Sequence, residues 1–250
     1  MILSIHRVTL GIGGEDVKMK YKRLLLKLSG ESLGGESGKG ICGDSLAVYA
    51  VIVRDLHAKG HEIGIVVGGG NFWRGRVSGD MDRMAADQIG TIATVMNAIA
   101  MTDALTHLGV PVSLLSAVPM PTIAEAMDAK RARRYLDEGR VVVFGGGTGS
   151  PFFSTDSAAA LRAAEIKADV ILKSTLVDGV YDRDPNEDEG AILLKEVSFD
   201  EVLEKKLRVI DQTAAALCRD FHLRMIVFNG TDPNNIARVL EEEDLGTMVR

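Results

Sequence analysis

The sequence predicts a three-layer α/β fold, an αβα sandwich around a mainly parallel central sheet. Short apolar runs bounded by glycine recur along the 250 residues, and helical patterns lie between them. Strands that alternate with helices form βαβ crossovers, which place parallel strands in one sheet and helices on both of its faces. The composition agrees, because 46% hydrophobic and 26% charged residues are ordinary for a globular protein that buries a core.

The elements follow from these patterns in chain order. The predicted strands are Leu24–Leu28, Glu62–Val67, Val112–Leu115, Val141–Phe144, Val170–Leu172 and Met225–Phe228. The predicted helices are Gly43–Lys59, Arg83–Leu108, Ile123–Glu138, Thr155–Ile166, Phe199–Leu203, Thr213–Arg219 and Asn234–Glu241. A chain of this length with one such alternation is expected to form a single domain, over residues 21–250.

The charge balance argues against a nucleic-acid partner. The chain has 29 Lys and Arg against 35 Asp and Glu, a formal net charge of −6. Nucleic-acid binders usually present a basic face, whereas the basic cluster within 130–134 is spaced like the solvated side of a helix. No stretch approaches the roughly 18 uncharged apolar residues of a membrane span. We therefore expect a cytoplasmic protein with no nucleic-acid or membrane partner.

The cysteines and the N-terminal residues add little chemistry. Cys42 and Cys218 form neither a CxxC pair nor a metal-ligand spacing, which fits a reducing compartment. In residues 1–18, His6 and Arg7 interrupt the apolar stretch, and no small-residue cleavage site follows. Residues 1–20 are therefore expected to be a disordered extension, unless the chain starts at Met19.

Glycine clusters follow three of the predicted strands. They are Ser29–Gly30, Gly68–Gly70 and Gly145–Gly149. Sites of parallel α/β sheets lie at the carboxyl ends of strands, and glycine lets backbone N–H groups approach phosphoryl oxygens closely. The spacing matches neither GxxxxGK followed by Ser or Thr nor GxGxxG, which excludes a P-loop and a Rossmann fingerprint. The pattern indicates a site for a small anion such as phosphate.

Charged residues beside these glycines could complete such a site. Lys27 and Arg74 would supply positive charge, and Ser154 or Thr155 would cap a helix whose positive end faces the anion. Each of these residues also has an alternative, structural interpretation. Lys27 could reach solvent from a strand end, Arg74 could stack on its neighbour, and Asp156 could be a helix N-terminal charge. Asp87 could lie on a solvated helix face, and the Phe pair after Pro151 could belong to the core.

The motifs together resemble the amino acid kinase superfamily, whose members transfer the γ-phosphoryl group of ATP. Two segments carry this resemblance, Lys27–Leu28–Ser29–Gly30–Glu31 and Gly68–Gly69–Gly70–Asn71–Phe72–Trp73–Arg74–Gly75. Two further segments resemble the bacterial UMP kinase (uridylate kinase) branch, the run Thr148–Asp156 and the run Lys173–Tyr181. The match runs from about Tyr21 to Arg250.

The resemblance implies roles for individual residues. It places ATP at Lys27, Leu28, Ser29, Gly30, Gly70, Arg74, Thr175, Tyr181 and Asp184. It places UMP at Gly69, Asp87, Thr148, Gly149, Ser150, Pro151, Phe152, Phe153, Ser154 and Thr155. It places a GTP effector near Gly35, Glu36, Ser37, Gly38, Lys39 and Gly40. The acceptor lobe would span about 21–167 and the ATP lobe about 168–250.

The implied reaction needs positive charge rather than a general base. The phosphate of UMP is already ionised, so catalysis consists of positioning and electrostatic stabilisation. Lys27, Arg74 and Lys173 would stabilise the transferred group, and Asp156 would orient Lys27. Mg²⁺ would be held mainly by the phosphates of ATP, because no carboxylate cage for a protein-bound metal is visible. The resemblance further implies a homo-hexamer, activation by GTP and inhibition by UTP.

Two other functions remain compatible with these residues. A carboxylate kinase of the same fold, of the acetylglutamate or glutamate 5-kinase type, would share the ATP motifs, but the run through Phe152–Phe153 speaks against it. A non-catalytic nucleotide-binding sensor would have no need of both Lys27 and Asp156. The segment Ala85–Met101 has Asp87 as its only ionised side chain, so it is either a core helix or a helix covered by another subunit.

Overall fold

The structure is a computed structural model that describes residues 19–74, 80–185, 187–207, 209–242 and 244–250. Most of the predicted N-terminal extension, residues 1–18, lies outside the described residues, as does Gly75 of the glycine-rich motif.

A large sheet forms the centre of the molecule. The strands of the described residues are β1 (Arg23–Leu28), β2 (Glu62–Val67), β3 (Val112–Ser116), β4 (Glu125–Ala126), β5 (Val141–Gly145), β6 (Val170–Thr175), β7 (Val180–Tyr181), β8 (Leu193–Leu194), β9 (Glu196–Val197), β10 (Met225–Asn229) and β11 (Thr247–Val249). Nine of them pair in the order β4-β3-β5-β2-β1-β6-β10-β11-β9, and β7 pairs with β8 in a separate hairpin. Within the large sheet, β10 and β11 are antiparallel, and the other neighbouring pairs are parallel.

Helices cover both faces of this sheet. They are α1 (Gly30–Leu33), α2 (Gly43–Ala58), α3 (Arg83–His107), α4 (Ala129–Asp137), α5 (Thr155–Ile166), α6 (Phe199–Glu204), α7 (Gln212–Asp220) and α8 (Asn235–Glu241). Buried residues of α2, α3 and α8 form one hydrophobic cluster with the sheet. Those of α4, α5, α6 and α7 form a second cluster. The predicted three-layer αβα class with a mainly parallel sheet is confirmed.

The alternation of side chains along β1 explains where its lysine lies. Successive residues of a strand point to opposite faces of the sheet. Leu24, Leu26 and Leu28 belong to the cluster under α2 and α3. Leu25 belongs to the cluster under α5, and Lys27, two residues later, shares its face. The carboxyl end of β1 therefore presents a charged group to the α5 layer.

One predicted helix is much shorter than expected. The prediction over Ile123–Glu138 is wrong in its first third, because residues Glu125–Ala126 pair with β3 as β4. The helix α4 begins only after Asp128, whose carboxylate accepts a hydrogen bond from the Arg131 N–H at 2.7 Å. A residue with this capping contact and extended backbone marks a helix start, so the apolar residues before it cannot continue the helix.

The helix α3 is long and apolar enough to cross a membrane by length and composition, although charged residues interrupt its apolar sequence. In this fold it packs on the sheet, and 39% of its most apolar window is buried. Ala86, Ala98, Met101 and Leu105 are almost fully buried on that side. These contacts identify α3 as a helix of the central sandwich.

The opposite side of α3 leaves large apolar side chains exposed. Ile89, Ile92 and Ile99 are each 40% exposed and Met96 is 42% exposed. We call these four residues the apolar face of α3. Side chains at this spacing share one side of a helix, so they form a continuous patch.

Candidate active site

Two lysines lie side by side at the carboxyl ends of the central strands. In the pairing of β1 with β6, Lys27 is directly opposite Lys173. The carboxylate of Asp156, near the start of α5, lies between them: its Oδ1 is 3.0 Å from the Lys27 Nζ, and its Oδ2 accepts a hydrogen bond from Lys173. All three side chains are largely buried. One carboxylate thus contacts both ammonium groups, and the nearby Asp211 carboxylate also acts on Lys173.

Burial and charge shift the pKa values of this group. The ammonium groups of Lys27 and Lys173 hold the pKa of Asp156 well below its usual range, against the opposing effect of burial. Burial, together with the charge of Lys27, lowers the pKa of Lys173 to about 8, although Asp156 opposes this shift. Asp156 is therefore a permanent carboxylate that neutralises one lysine charge, which makes it unsuited to act as a base near neutral pH.

The glycine loop approaches this group from β2. The Gly68 N–H donates to the Leu28 carbonyl at 3.0 Å, which brings the loop beside the end of β1. A Cβ at Gly30 would lie 2.5 Å from the Gly68 carbonyl oxygen, and a Cβ at Gly69 would lie 2.7 Å from the Gly90 carbonyl oxygen. At both positions only glycine fits without moving the backbone. The glycines are therefore required by close packing of two strand ends and α3, as well as by access for a ligand.

The N-terminus of α5 is held through Ser154 by Asp211, a residue that was not predicted from the sequence. Ser154 caps α5, since its hydroxyl accepts from the backbone N–H groups of Asp156 and Ser157. The same hydroxyl donates to the carboxylate of Asp211, which also accepts from the Ser157 hydroxyl and caps α7 through the Ala214 N–H. An aspartate before an alanine-rich helix was the signal available in the sequence. The contact with Ser154 became visible only in three dimensions.

These elements enclose a cleft of about 560 Å³. The predicted site residues that line it are Lys27, Gly69, Gly70, Arg74, Asp87, Thr148, Ser150, Phe153, Ser154, Thr155 and Asp156. Asp211, Thr91, Thr94 and Trp73 also line the cleft and had not been predicted. The fold thus brings β1, the loop after β2, α3 and the N-terminus of α5 to one cavity. There Lys27, Arg74 and the backbone dipole of α5 can meet an anionic ligand beside the carboxylates of Asp87, Asp156 and Asp211.

Part of the predicted UMP-binding segment lies at the edge of this cleft. Gly149, Pro151 and Phe152 do not line it, and Phe152 and Phe153 are 64% and 51% exposed. A core role for the two phenylalanines is therefore wrong. Phe152 has a φ of +73°, an uncommon conformation for a large side chain.

Asp87 connects this exposed turn to α3. Its carboxylate accepts from the Phe152 N–H at 2.9 Å and from the Arg83 guanidinium at 2.9 Å. The Asp87 side chain is 17% exposed, so it does not lie on a solvated helix face. The Asp87 carboxylate lies instead where a ligand in the cleft would contact both α3 and the exposed turn at Phe152.

Two residues that were predicted to contact ATP, Arg74 and Leu28, differ in the exposure of their side chains. The Arg74 guanidinium pairs with the Glu31 carboxylate and remains 63% exposed. The Leu28 side chain is fully buried in the core, so only its main chain could meet a ligand. Ser29 and Gly30 start α1 beside the glycine loop.

A second cavity of about 460 Å³ contains Tyr181 and Asp184, which the sequence assigned to the ATP nucleoside. Lys205 and Leu207 line it from the segment after α6. Thr175, the last residue of β6, lines neither cavity, and its hydroxyl donates to the Val177 carbonyl at 2.8 Å. The turn after β6 thus leads from Lys173 towards this second cavity.

The predicted effector segment, residues 35–40, lies next to the glycine loop. Gly35–Ser37 forms a short 3-10 turn, and Gly38 and Gly40 both have positive φ. The Gly40 N–H donates to the Asn71 carbonyl at 3.0 Å. The segment therefore contacts the loop through Asn71.

Within the described residues, no group of three or more His, Cys, Asp or Glu side chains is arranged to hold a metal ion. The carboxylates nearest the lysine pair, Asp156 and Asp211, are occupied by hydrogen bonds and ion pairs. This donor set fits a phosphate group better than a bare cation, so Mg²⁺ would be held here chiefly by a ligand's phosphates and by water.

Known proteins share this architecture. The model of the amino acid kinase family matches residues 22–229. The UMP kinase from Bacillus anthracis superposes with a TM-score of 0.88 at 35% identity, covering 92% of this chain and 96% of that one. The UMP kinase from Ureaplasma parvum gives 0.87 at 37% identity, with coverage of 92% and 99%. The uridylate kinase from Archaeoglobus fulgidus gives 0.70 at 31% identity, with coverage of 91% and 99%. The resemblance seen in the sequence motifs is confirmed, and the chain belongs to the amino acid kinase family.

Proposed function

We propose that this protein transfers the γ-phosphoryl group of ATP to UMP, giving ADP and UDP. The observation that carries the proposal is the pair of buried lysines, Lys27 and Lys173, held by the single carboxylate of Asp156. Lys27 and Asp156 line the cleft together with a glycine loop and a helix N-terminus, and Lys173 is buried directly behind Asp156. The UMP kinases among the similar solved structures support UMP as the acceptor.

The residues would act by position and charge. The attacking oxygen of UMP is ionised near neutral pH, because the second pKa of a phosphate monoester is about 6. No proton must be removed, so Lys27 and Lys173 would instead stabilise the negative charge of the in-line transition state. Arg74 would leave Glu31 to bind phosphate. Asp156 would hold both lysines in place throughout the reaction.

Each lobe would hold one substrate. Residues 21–167 would hold UMP, with Gly69, Asp87 and the segment from Thr148 to Thr155 around it. Residues 168–250 would hold the ATP nucleoside, with Thr175, Tyr181 and Asp184 around it, while Lys27, Leu28, Ser29, Gly30, Gly70 and Arg74 contact its phosphates. Mg²⁺ bound to ATP would neutralise charge on its phosphates.

Regulation and assembly form a further part of the proposal. GTP would activate the enzyme at Gly35–Gly40, and UTP would inhibit it. The apolar face of α3 would be covered by a second copy of the chain within a homo-hexamer, because four neighbouring large apolar residues are exposed there. Sedimentation velocity should give about six times the 26.8 kDa of one chain. Ile92→Glu should lower that mass.

The reaction is tested by following ADP release with Mg²⁺ and ATP against UMP, CMP, dTMP, AMP, glutamate and N-acetylglutamate. We expect turnover with UMP alone, activation by added GTP and inhibition by added UTP. The Lys27→Ala variant, run in parallel, shows that the activity belongs to this chain. Turnover with an amino-acid substrate would show that the acceptor is a carboxylate and not UMP. ATP binding without any turnover would replace the kinase with a sensor.

A further inference from the structure

A buried pair of amide side chains lies behind the glycine loop. Asn71 follows the loop and is 5% exposed, and Asn97 lies on α3 and is fully buried. The Asn71 Nδ2 donates to the Asn97 Oδ1 at 2.9 Å, and the Asn97 Nδ2 donates to the Asn71 Oδ1 at 2.7 Å. The two amides therefore face each other and exchange hydrogen bonds in both directions.

The remaining donors of this pair bind two backbone carbonyls. The Asn97 Nδ2 also donates to the Gly68 carbonyl at 2.7 Å, and the Asn71 Nδ2 donates to the Gly40 carbonyl at 2.6 Å. A side-chain amide has two N–H groups, so all four of the pair have partners. Burial of polar groups is costly when they are unpaired, and a fully paired network is rigid.

The amide pair also packs closely against the main chain that follows β1. A Cβ on Gly30 would lie 2.6 Å from the Asn71 Oδ1 and 2.8 Å from the Gly70 N. The main chain of Asn71 binds Gly40 as well, since its carbonyl accepts from the Gly40 N–H. Three segments of the predicted phosphate and effector sites thus converge on Asn71, and Asn97 anchors them to α3.

A glycine-rich loop needs such an anchor to keep one shape. Glycine loses more conformational freedom on ordering than any other residue, so Gly68–Gly70 would sample many backbone conformations if free. Binding of a phosphate by backbone N–H groups is efficient only when those groups are already oriented. Both peptide groups of Gly68 are held, its N–H by Leu28 and its carbonyl by Asn97.

We infer that Asn97 and Asn71 are positioning residues, whose buried amide pair fixes the Gly68–Gly70 loop for phosphate binding and joins it to the Gly35–Gly40 segment. This inference rests on the proposed function for its kinetic consequence. Neither side chain lines the cleft, so both act through the backbone of the loop.

The test replaces Asn97 with a residue of similar shape that has no donor. In Asn97→Leu, kcat for UMP phosphorylation should fall by between about tenfold and a hundredfold, the range expected for misplaced binding groups. Amide hydrogen exchange of residues 68–73 and 38–42 should become faster in the unliganded protein. The double variant Asn71→Ala with Asn97→Leu should lose little more activity than Asn97→Leu alone, because the two residues act as one unit.

The control is Leu105→Ala, which removes buried contacts at the far end of the same helix. It should lower the melting temperature at least as much as Asn97→Leu while leaving kcat and loop exchange unchanged. If Asn97→Leu does not fold, Asn71→Ala provides the comparison, since it removes two donors without adding a charge beside the loop.

Wild-type kcat together with wild-type loop exchange in a folded variant would overturn the inference. If the wild-type protein does not phosphorylate UMP, the proposed function fails, and the exchange measurement alone decides whether the pair orders the loop.

Discussion

The hydroxyl of Ser154 donates a hydrogen bond to the carboxylate of Asp211, and each of these residues caps a different helix. Asp211 is the N-cap residue of α7, and Ser154 is the N-cap residue of α5, which has Asp156 in its first turn. The position of the carboxylate between the two lysines therefore depends on a residue from the last third of the chain.

Replacing Asp211 should affect both stability and turnover. Asp211→Ala removes the cap of α7 and the acceptor for two serine hydroxyls, which should lower the free energy of unfolding by about 1–3 kcal/mol. It should also reduce kcat, because the start of α5 loses its support. Urea unfolding and ADP release measure the two effects. Asp128→Ala, which removes the cap of α4 away from the cleft, should lower stability by about 1 kcal/mol and leave kcat unchanged.

Removing the first lysine should abolish most of the rate. Lys27→Ala should lower kcat by a hundredfold or more, since one preorganised stabilising group typically contributes about 3 kcal/mol to the transition state. The fold should persist, because Asp156 keeps its contact with Lys173. Steady-state kinetics and circular dichroism check both points, with Lys59→Ala as the surface control. Near-normal turnover would exclude Lys27 from the catalytic residues.

Deprotonation of Lys173 should lower the activity at basic pH. The pKa of Lys173 is lowered to about 8 by burial and by Lys27, so the side chain is charged below that pH and neutral above it. A neutral amine cannot stabilise the transferred phosphoryl group, so kcat/KM for ATP should fall as the pH rises above about 8. The Lys173→Gln variant should have a low kcat/KM for ATP, and its pH profile should not show this fall at basic pH. A wild-type profile that stays flat to pH 10 would contradict the prediction.

Asp87 should matter for the acceptor and little for the chemical step. Asp87→Ala should raise KM for UMP with a smaller change in kcat, because the contacts that Asp87 would make with UMP are equal in the ground and transition states. It should also free the turn at Phe152, whose N–H loses its acceptor. Asp103→Ala, an exposed carboxylate on the same helix, is the matched control. An unchanged KM for UMP would count against the proposed role.

The two cysteines should differ in reactivity. Burial raises the pKa of Cys218 to about 12, whereas a hydrogen bond from the Ser45 N–H holds the pKa of Cys42 below its usual range. Because the thiolate is the reactive form, iodoacetamide should modify Cys42 in the folded protein and Cys218 only after unfolding. Mass spectrometry of the digested protein identifies the site. A labelled Cys218 in the native state would contradict this assignment.

Local patterns predicted the long strands and most helices. The buried strands β1, β2 and β5 are rich in apolar residues, and their bounds agree with the prediction to within one residue. The two-residue strands β7, β8 and β9 carry no periodicity, so they could not be read from the sequence. Their pairing is fixed by distant partners such as the Thr247 hydroxyl, which accepts from the Val180 N–H and donates to the Leu194 carbonyl.

The candidate site could be predicted where it follows the end of a strand. Lys27 and the triple glycine met that rule, and the cleft contains both. Asp211 and Asn97 did not, because each acts through a contact with a residue far away in sequence. An asparagine within a helix and an aspartate before one carry no local mark of such contacts.

The central position of β1 has a consequence for how the chain folds. The strand β1 pairs on one side with β2 and on the other with β6, which follows the other four strands of the first half of the sheet in the chain. Pairings between distant segments form slowly, since a large loop must close before any contact is gained. Lys27 and Lys173 meet only in that late pairing. Recovery of activity during refolding should therefore follow the pairing of β1 with β6, and a fragment that ends before β6 should have no functional site.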